Sequence, residues 1–134
     1  MEQVVVPVRY PLSARSKTTL EEAIAVAEAR EAALTVLHVN LYQDNHRVTR
    51  RELREAVEST SGTLSNARYV VRRGLLVEET ILEEVAAGDA DVVVVGKRQA
   101  SRWRRMIGRL TDDPDIEQYL KTELDAEIIT AHSD

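Results

Sequence analysis

Six cationic side chains, Lys97, Arg98, Arg102, Arg104, Arg105 and Arg109, crowd one short stretch of this chain. They follow directly on Asp91-Val-Val-Val-Val-Gly96, a β-branched run that stops at a glycine. Guanidinium groups are planar forks that match phosphate or carboxylate oxygens two at a time, so such a density points to anion binding. The position reinforces this, because ligands of open α/β sheets bind at strand ends and helix N-termini attract anions. Arg102, Arg105 and Arg109 share one helical face, at i, i+3 and i+7. Ser101 is placed to cap that helix and to offer a hydroxyl to the same anion.

A second reading of these charges needs no ligand. Asp112, Asp113, Asp115 and Glu117 follow immediately, and a solvated helix face pairs with such neighbours, within one chain or across a dimer. Nucleic acid is disfavoured, because the whole chain carries a net charge of −5 and the segment lacks stacking aromatics. Its one aromatic, Trp103, falls with Met106, Ile107 and Leu110 on a core-facing stripe at i, i+3, i+4 and i+7. Arg47, Arg50, Arg51 and Arg54 form a second basic cluster that reads as a solvated helix face.

No other constellation carries chemistry. The chain has no cysteine, which removes disulfides, thiolate metal sites and cysteine nucleophiles. His38 lies in a strand, as a structural residue near the sheet end, while His46 and His132 lie in a loop and near the end of the chain. No two of the three have ligand spacing, so no metal site is expected. Ser13, Ser16 and Ser101 lack an arguable base and orienting acid. Glu78-Glu79 and Glu83-Glu84 read as helix surface and first-turn dipole partners rather than an acid/base pair. The expectation is a binding module and not an enzyme.

The elements that position the basic segment follow from periodicity. A length of 134 residues fits one domain spanning 1–134. No apolar run approaches the roughly 20 residues that span a bilayer, so the expected location is the cytoplasm. Arginine used in place of lysine, together with an acid excess, fits a GC-rich or salt-adapted proteome.

Gln3 to Val8 is a short β-branched strand, covered on both faces, whose pairing ends near Pro7. A helix follows, with Leu20, Ala23, Ile24 and Ala27 on one face and a capping box at Thr18 and Glu21. Ala33 to Val39 is the second strand, and Leu41 to Val48 is a polar loop. A second capping box, Thr49-Arg-Arg-Glu52, opens a helix packed through Leu53, Ala56 and Val57. Ala67 to Arg72 is a third strand with edge-like alternation, and Gly74 turns the chain. The third helix presents Val77, Ile81, Leu82 and Val85 and is capped by Gly88. Asp91 to Val95 is the fourth strand. After the basic helix, Asp113-Pro114 starts a new one with Ile116, Tyr119, Leu120 and Leu124 inward. Glu127 to Ala131 is a last short strand. Strict alternation of strand and helix predicts an α/β fold: one doubly wound, five-stranded and mostly parallel sheet with helices on both faces.

Several strings in this order resemble the universal stress protein (UspA-type) family. They are Val4-Val-Val-Pro-Val8, Leu34-Thr-Val-Leu-His-Val39, Val71-Arg-Arg-Gly74 before Glu78-Glu-Thr-Ile-Leu82, and Ala90-Asp-Val-Val-Val-Val-Gly96. The resemblance spans essentially the whole chain and implies strand order 3-2-1-4-5 and a homodimer, often built through the last strand. ATP-binding members carry an aspartate directly after strand one and a Gly-x2-Gly-x9-Gly-Ser/Thr run after strand four. Glycines there let backbone amides approach the phosphates.

This chain has Arg9 at the aspartate position, keeps Gly96 as the first glycine, and has Gln99 at the second. Gly108 comes one residue early for the third and precedes Arg109 rather than serine or threonine. It reads as an incidental helical glycine within the Trp103 stripe. The resemblance therefore implies a stress-response regulatory module without the family's standard ATP-binding mode. The alternative is a nucleotide- or anion-binding member, holding ATP, AMP or another phosphate-bearing anion. In that case Arg9, Gly96, Lys97, Arg98, Ser101, Arg102 and Arg109 surround the phosphates, and the backbone near Val39 and Asn40 bounds the base. Nucleotide hydrolysis would need a metal-binding polar group that the altered motif does not supply.

Overall fold

A computed structural model describes residues 1–110 and 116–131 of the chain, with backbone alone at 108–110 and 116–118. The β-branched runs form the strands at the centre. β1 (Gln3–Pro7) lies between β2 (Ala33–Leu41) and β4 (Val92–Val95), β3 (Ala67–Gly74) pairs with the far side of β2, and β5 (Glu127–Thr130) pairs with the far side of β4. All pairings are parallel and the order is β3-β2-β1-β4-β5. Such a sheet must be covered on both faces, and the intervening helices do this.

The pleat divides the core in two. Val4 and Val6 of β1, Leu34 and Val36 of β2 and Val92 and Val94 of β4 meet α1 (Ala14–Ala29) through Leu20 and Ala23, and α2 (Arg50–Ser61) through Leu53 and Val57. Val5, Leu37, Val93 and Val95 point the other way. They meet α3 (Val77–Ala87) through Ile81 and Val85, α4 (Lys97–Leu110) through Trp103 and Ile107, and α5 (Ile116–Leu124) through Leu120. Burying each valine, leucine or isoleucine of these cores contributes about 1.5–3 kcal/mol, against roughly 1–2 kcal/mol of backbone entropy per ordered residue. A one-residue slip of β1 would exchange its two valine sets between cores that fit different helices.

Three of the helix-to-strand turns use one device. Glu31, Asp89 and Asp125, at φ of 52°, 50° and 53°, reverse the chain in the left-handed region. Each is followed by a buried alanine, Ala32, Ala90 or Ala126, that starts the way into the next strand. The Ala32 N–H donates to Ala27 O and the Ala90 N–H to Val85 O, closing carbonyls that the helix end would leave unpaired.

Four local expectations are corrected. α1 starts at Ser13, whose hydroxyl accepts from the Ser16 N–H, and not at Thr18; the Thr18 hydroxyl instead donates back to Ala14 O. β2 runs on to Leu41, because Leu41 still pairs with Gly74 of β3. Glu84 is not helix surface: it is 3% exposed, and the Arg72 Nε from β3 lies 2.6 Å from its Oε1. Ser101 caps nothing, since α4 begins at Lys97 and Ser101 sits exposed in its second turn.

Other expectations match. The Thr49–Glu52 capping box opens α2, and Arg47, Arg50, Arg51 and Arg54 are exposed around its start. Gly108 lies within α4. The Asp113-Pro114 start, the side chains of Leu110 and Ile116, and His132 lie outside the described residues. No helix among the described residues is long and apolar enough to cross a membrane.

Candidate functional site

A cleft of about 550 Å³ opens at the C-terminal ends of β1 and β2 and the tip of β4, between the starts of α1 and α4. It lies beside β1, where the crossovers leave toward opposite faces, which is where a doubly wound sheet opens a crevice.

The chain leaving β1 is fixed in steps. The Val8 N–H donates to Leu37 O, extending the β1–β2 ladder, and the Arg9 N–H donates to the Ser16 hydroxyl at 3.1 Å. Ser16 in turn donates its N–H to the Ser13 hydroxyl that caps α1. Arg9 and the first turn of α1, with Arg15, are thereby held at the cleft mouth. On the other side, β4 ends at Gly96, and α4 starts at once with Lys97. A Cβ at Gly96 would stand 3.3 Å from the Thr19 hydroxyl of α1, so glycine lets the tip of β4 approach that helix closely.

Two surfaces line the cleft. Leu37, Val39, Val77 and Ile81 form an apolar part. Arg9, Arg15, Lys97, Arg98 and Arg102 form a cationic part, and among the described residues no carboxylate lines the cleft. Arg102 is anchored toward α3, its Nε 3.9 Å from Glu78 Oε1, while Arg9, Arg15 and Arg98 have no ion-pair partner among the described residues. Gln99 adds a donor: its Nε2 is buried without a hydrogen-bond partner. A buried polar group without a partner costs about 1–3 kcal/mol, so this N–H₂ is poised to gain from an acceptor brought into the cleft.

His38 stands at the same end of the sheet. Its Nδ1 lies 3.0 Å from Val8 O and its ring meets Tyr10 edge-on at 6.3 Å between centroids. A carbonyl only accepts, so this contact assigns the proton to Nδ1. The residue is structural, as the sequence implied, but it also lines the cleft.

Of the residues singled out from the sequence, Arg9, Val39, Gly96, Lys97, Arg98 and Arg102 come together here. Asn40 does not: it is buried and clasps Val48, donating from Nδ2 to Val48 O at 2.9 Å and accepting the Val48 N–H at 3.1 Å. Ser101 faces solvent, and the side chain of Arg109 lies outside the described residues. Arg104 and Arg105 are exposed, so α4 divides into a cleft side and a solvated side about its buried Trp103. Arg15, Thr19 and Gln99 were not expected in the site. The missed signal is Ser13 as a helix cap, which puts Arg15 in a first turn facing the end of β1. Among the described residues, no group of three His, Cys, Asp or Glu side chains is placed to hold a metal ion.

The Glu52 carboxyl sits below the usual glutamate range, chiefly because the Thr49 backbone N–H donates to it. Burial raises the Tyr69 hydroxyl, and the Glu127 hydrogen bond raises Arg30.

Compared with known proteins, residues 1–113 match the model of the universal stress protein family. No curated protein sequence matches the chain. Among solved structures, a universal stress protein in complex with cAMP is similar at TM-score 0.60 and 17% identity, over 98% of both chains. Universal stress protein UspA from Lactobacillus plantarum is similar at 0.59 and 18%, over 98% of this chain and 97% of the other. The universal stress protein from Archaeoglobus fulgidus in complex with dAMP is similar at 0.55 and 13%, over 97% of each.

Proposed function

The chain belongs to the universal stress protein family, and from that premise we propose that it is a stress-response regulatory module binding a small phosphate-bearing ligand in its arginine-lined cleft. The observation that carries this reading is the pairing, among the described residues, of an apolar surface with five cations and no carboxylate in one cleft. Its volume of about 550 Å³ falls in the usual range for small-molecule sites, about 300–1,000 Å³. A nucleotide has the matching halves, a flat ring for Leu37, Val39 and Ile81 and a phosphate for the guanidinium groups. Two structurally similar proteins are complexes with cAMP and dAMP, each a base with one phosphate.

The mode of binding differs from a glycine-loop site. Gln99 occupies the second glycine's place, Gly108 is taken up in α4, and Arg9 replaces the aspartate after β1. Phosphate ligation falls to side chains, chiefly Arg9, Lys97, Arg98 and Arg102. The module acts by binding rather than by catalysis, in the cytoplasm.

Calorimetric titration with AMP and with ATP tests the reading, comparing the chain with its Arg9→Ala/Arg98→Ala variant. Each charge-assisted hydrogen bond contributes about 1.5–3 kcal/mol, so the double variant should lose on the order of 100-fold in affinity. Absence of saturable binding by either nucleotide would overturn it. A ligand-free role for the basic helix has its support in Arg104 and Arg105, which face solvent.

The module also pairs with a second copy through β5, which ends the strand order and, among the described strands, is bonded to β4 alone. Light scattering that finds only the 15.1 kDa species at micromolar protein would defeat this pairing.

A further inference from the structure

The cationic lining is not one patch but two. Arg9 and Arg15 flank the start of α1, and Lys97, Arg98 and Arg102 occupy the first two turns of α4. Neither helix has an acidic residue in its first turn, so neither positive helix end is offset by a carboxylate of its own first turn. The first turn of α4 also brings to the cleft the buried, unpartnered N–H₂ of Gln99, again a donor.

Glu78 reaches Arg102 at 3.9 Å but does not line the cleft. A chain with net charge −5 thus gathers, among its described residues, five positive side chains and no negative one along a single crevice.

This set is the wrong partner for a metal–phosphate complex. Magnesium keeps its place on phosphates through one or two protein carboxylates and several waters, and it brings positive charge of its own. Among the described residues that line the cleft, an added positive charge meets five cationic side chains and no carboxylate oxygen. A metal-free polyphosphate has the complementary demand: several negative oxygens, each seeking a donor or cation.

We propose that the cleft takes its ligand as the metal-free anion, and that the ligand carries at least two phosphate groups, one toward the start of α1 and one toward the start of α4. This rests on the anion-binding reading of the same cleft and adds to it the charge state and number of phosphates. Magnesium is then an antagonist, because it withdraws the free anion and repels the lining. A monophosphate reaches only one of the two cationic sets and binds more weakly.

The experiment titrates the chain with AMP, ATP and inorganic triphosphate, first in EDTA and then with excess magnesium at matched ionic strength. The expected result in EDTA is that ATP and triphosphate bind at least tenfold more tightly than AMP. Magnesium should weaken both by tenfold or more and leave AMP nearly unchanged. Arg15→Ala, on the α1 side, should narrow the ratio of ATP to AMP affinity in EDTA. Binding of ATP that is equal or tighter in magnesium overturns the metal-free state, and AMP binding as tightly as ATP overturns the second phosphate, while either leaves the anion cleft standing. If none of the three compounds binds in either buffer, the cleft itself fails as an anion site and this proposal falls with it.

Discussion

The helices of this sheet begin in two different ways, and the contrast locates the candidate site. α2 opens with Thr49 and Glu52 in a reciprocal capping box, with the Glu52 N–H donating to the Thr49 hydroxyl at 3.1 Å and the Thr49 N–H to Glu52 Oε1 at 3.0 Å. α3 carries Glu78 and Glu79 in its first turn. The positive ends of both helices are offset by the chain's own carboxylates. α1 and α4 have none, and place Arg15, Lys97 and Arg98 there instead. α3 borders the same cleft, yet it presents Val77 and Ile81 to it and keeps its acids off the lining. Positive charge placed on positive helix ends disfavours the isolated fold. It becomes favourable when an anion arrives, and so α1 and α4 mark the end of the molecule built for a ligand.

The sharpest way to break this contrast is to give α4 what α3 has. Arg98→Glu places a carboxylate in the first turn of α4 and removes an unpaired cation from the cleft. Affinity for ATP measured in EDTA should fall by about 100-fold, the loss of a charge-assisted hydrogen bond compounded by repulsion. Stability should move the other way, rising by about 0.3–1 kcal/mol in urea denaturation, because the new charge complements the helix dipole. A variant that loses binding and also loses stability would show that Arg98 supports the fold. The two helix pairs would then not differ in the way described.

Much of the fold was legible because it rests on short-range regularities. β1 and β4 are continuous valine runs, which only a strand buried on both faces requires, and the Trp103 stripe set which side of α4 faces the core. The misreadings share one cause, namely partners supplied from far along the chain. Thr18-x-x-Glu21 satisfies the local pattern of a capping box as well as Ser13 does. Ser13 prevails because Ser16, which it caps, also accepts the Arg9 N–H from the end of β1. Glu84 sits among surface-like glutamates in sequence, yet Arg72 from β3 makes its burial tolerable. Asn40 looked like a residue of the cleft rim, and its clasp on Val48 turns it to the loop before α2.

For the site, the density of arginines was visible and their division was not. The run from Lys97 to Arg105 contains cations on both sides of α4, and only the docking of Trp103 and Ile107 decides which meet the cleft. Arg15 joins them from α1, far away in sequence. No local window around the basic run contains it.

A smaller effect tests the other half of the contrast, at α2. Hydrogen bonding from Thr49, with the charge of His46 nearby, holds the Glu52 carboxyl below its usual range. The His46 Nε2 lies 3.7 Å from Glu52 Oε2. A carboxyl that is more acidic when folded binds its proton more readily when unfolded. Its contribution is therefore complete above the ordinary glutamate value of about 4.3 and is lost as pH falls through the lower folded value. Glu52→Gln keeps the hydrogen-bonding shape of the box and removes only the charge. Urea denaturation should find the parent chain more stable than Glu52→Gln at pH 7, with the difference closing as the pH is lowered toward 3. A gap of the same size at both pH values would mean that hydrogen-bond geometry, and not charge, satisfies the start of α2. The absence of acids at α1 and α4 would then not mark an uncompensated positive end, since a hydrogen-bonding cap such as Ser13 on α1 would serve as well as a carboxylate. The titration of a single glutamate at the start of α2 thus decides what the arginines of the cleft are set against.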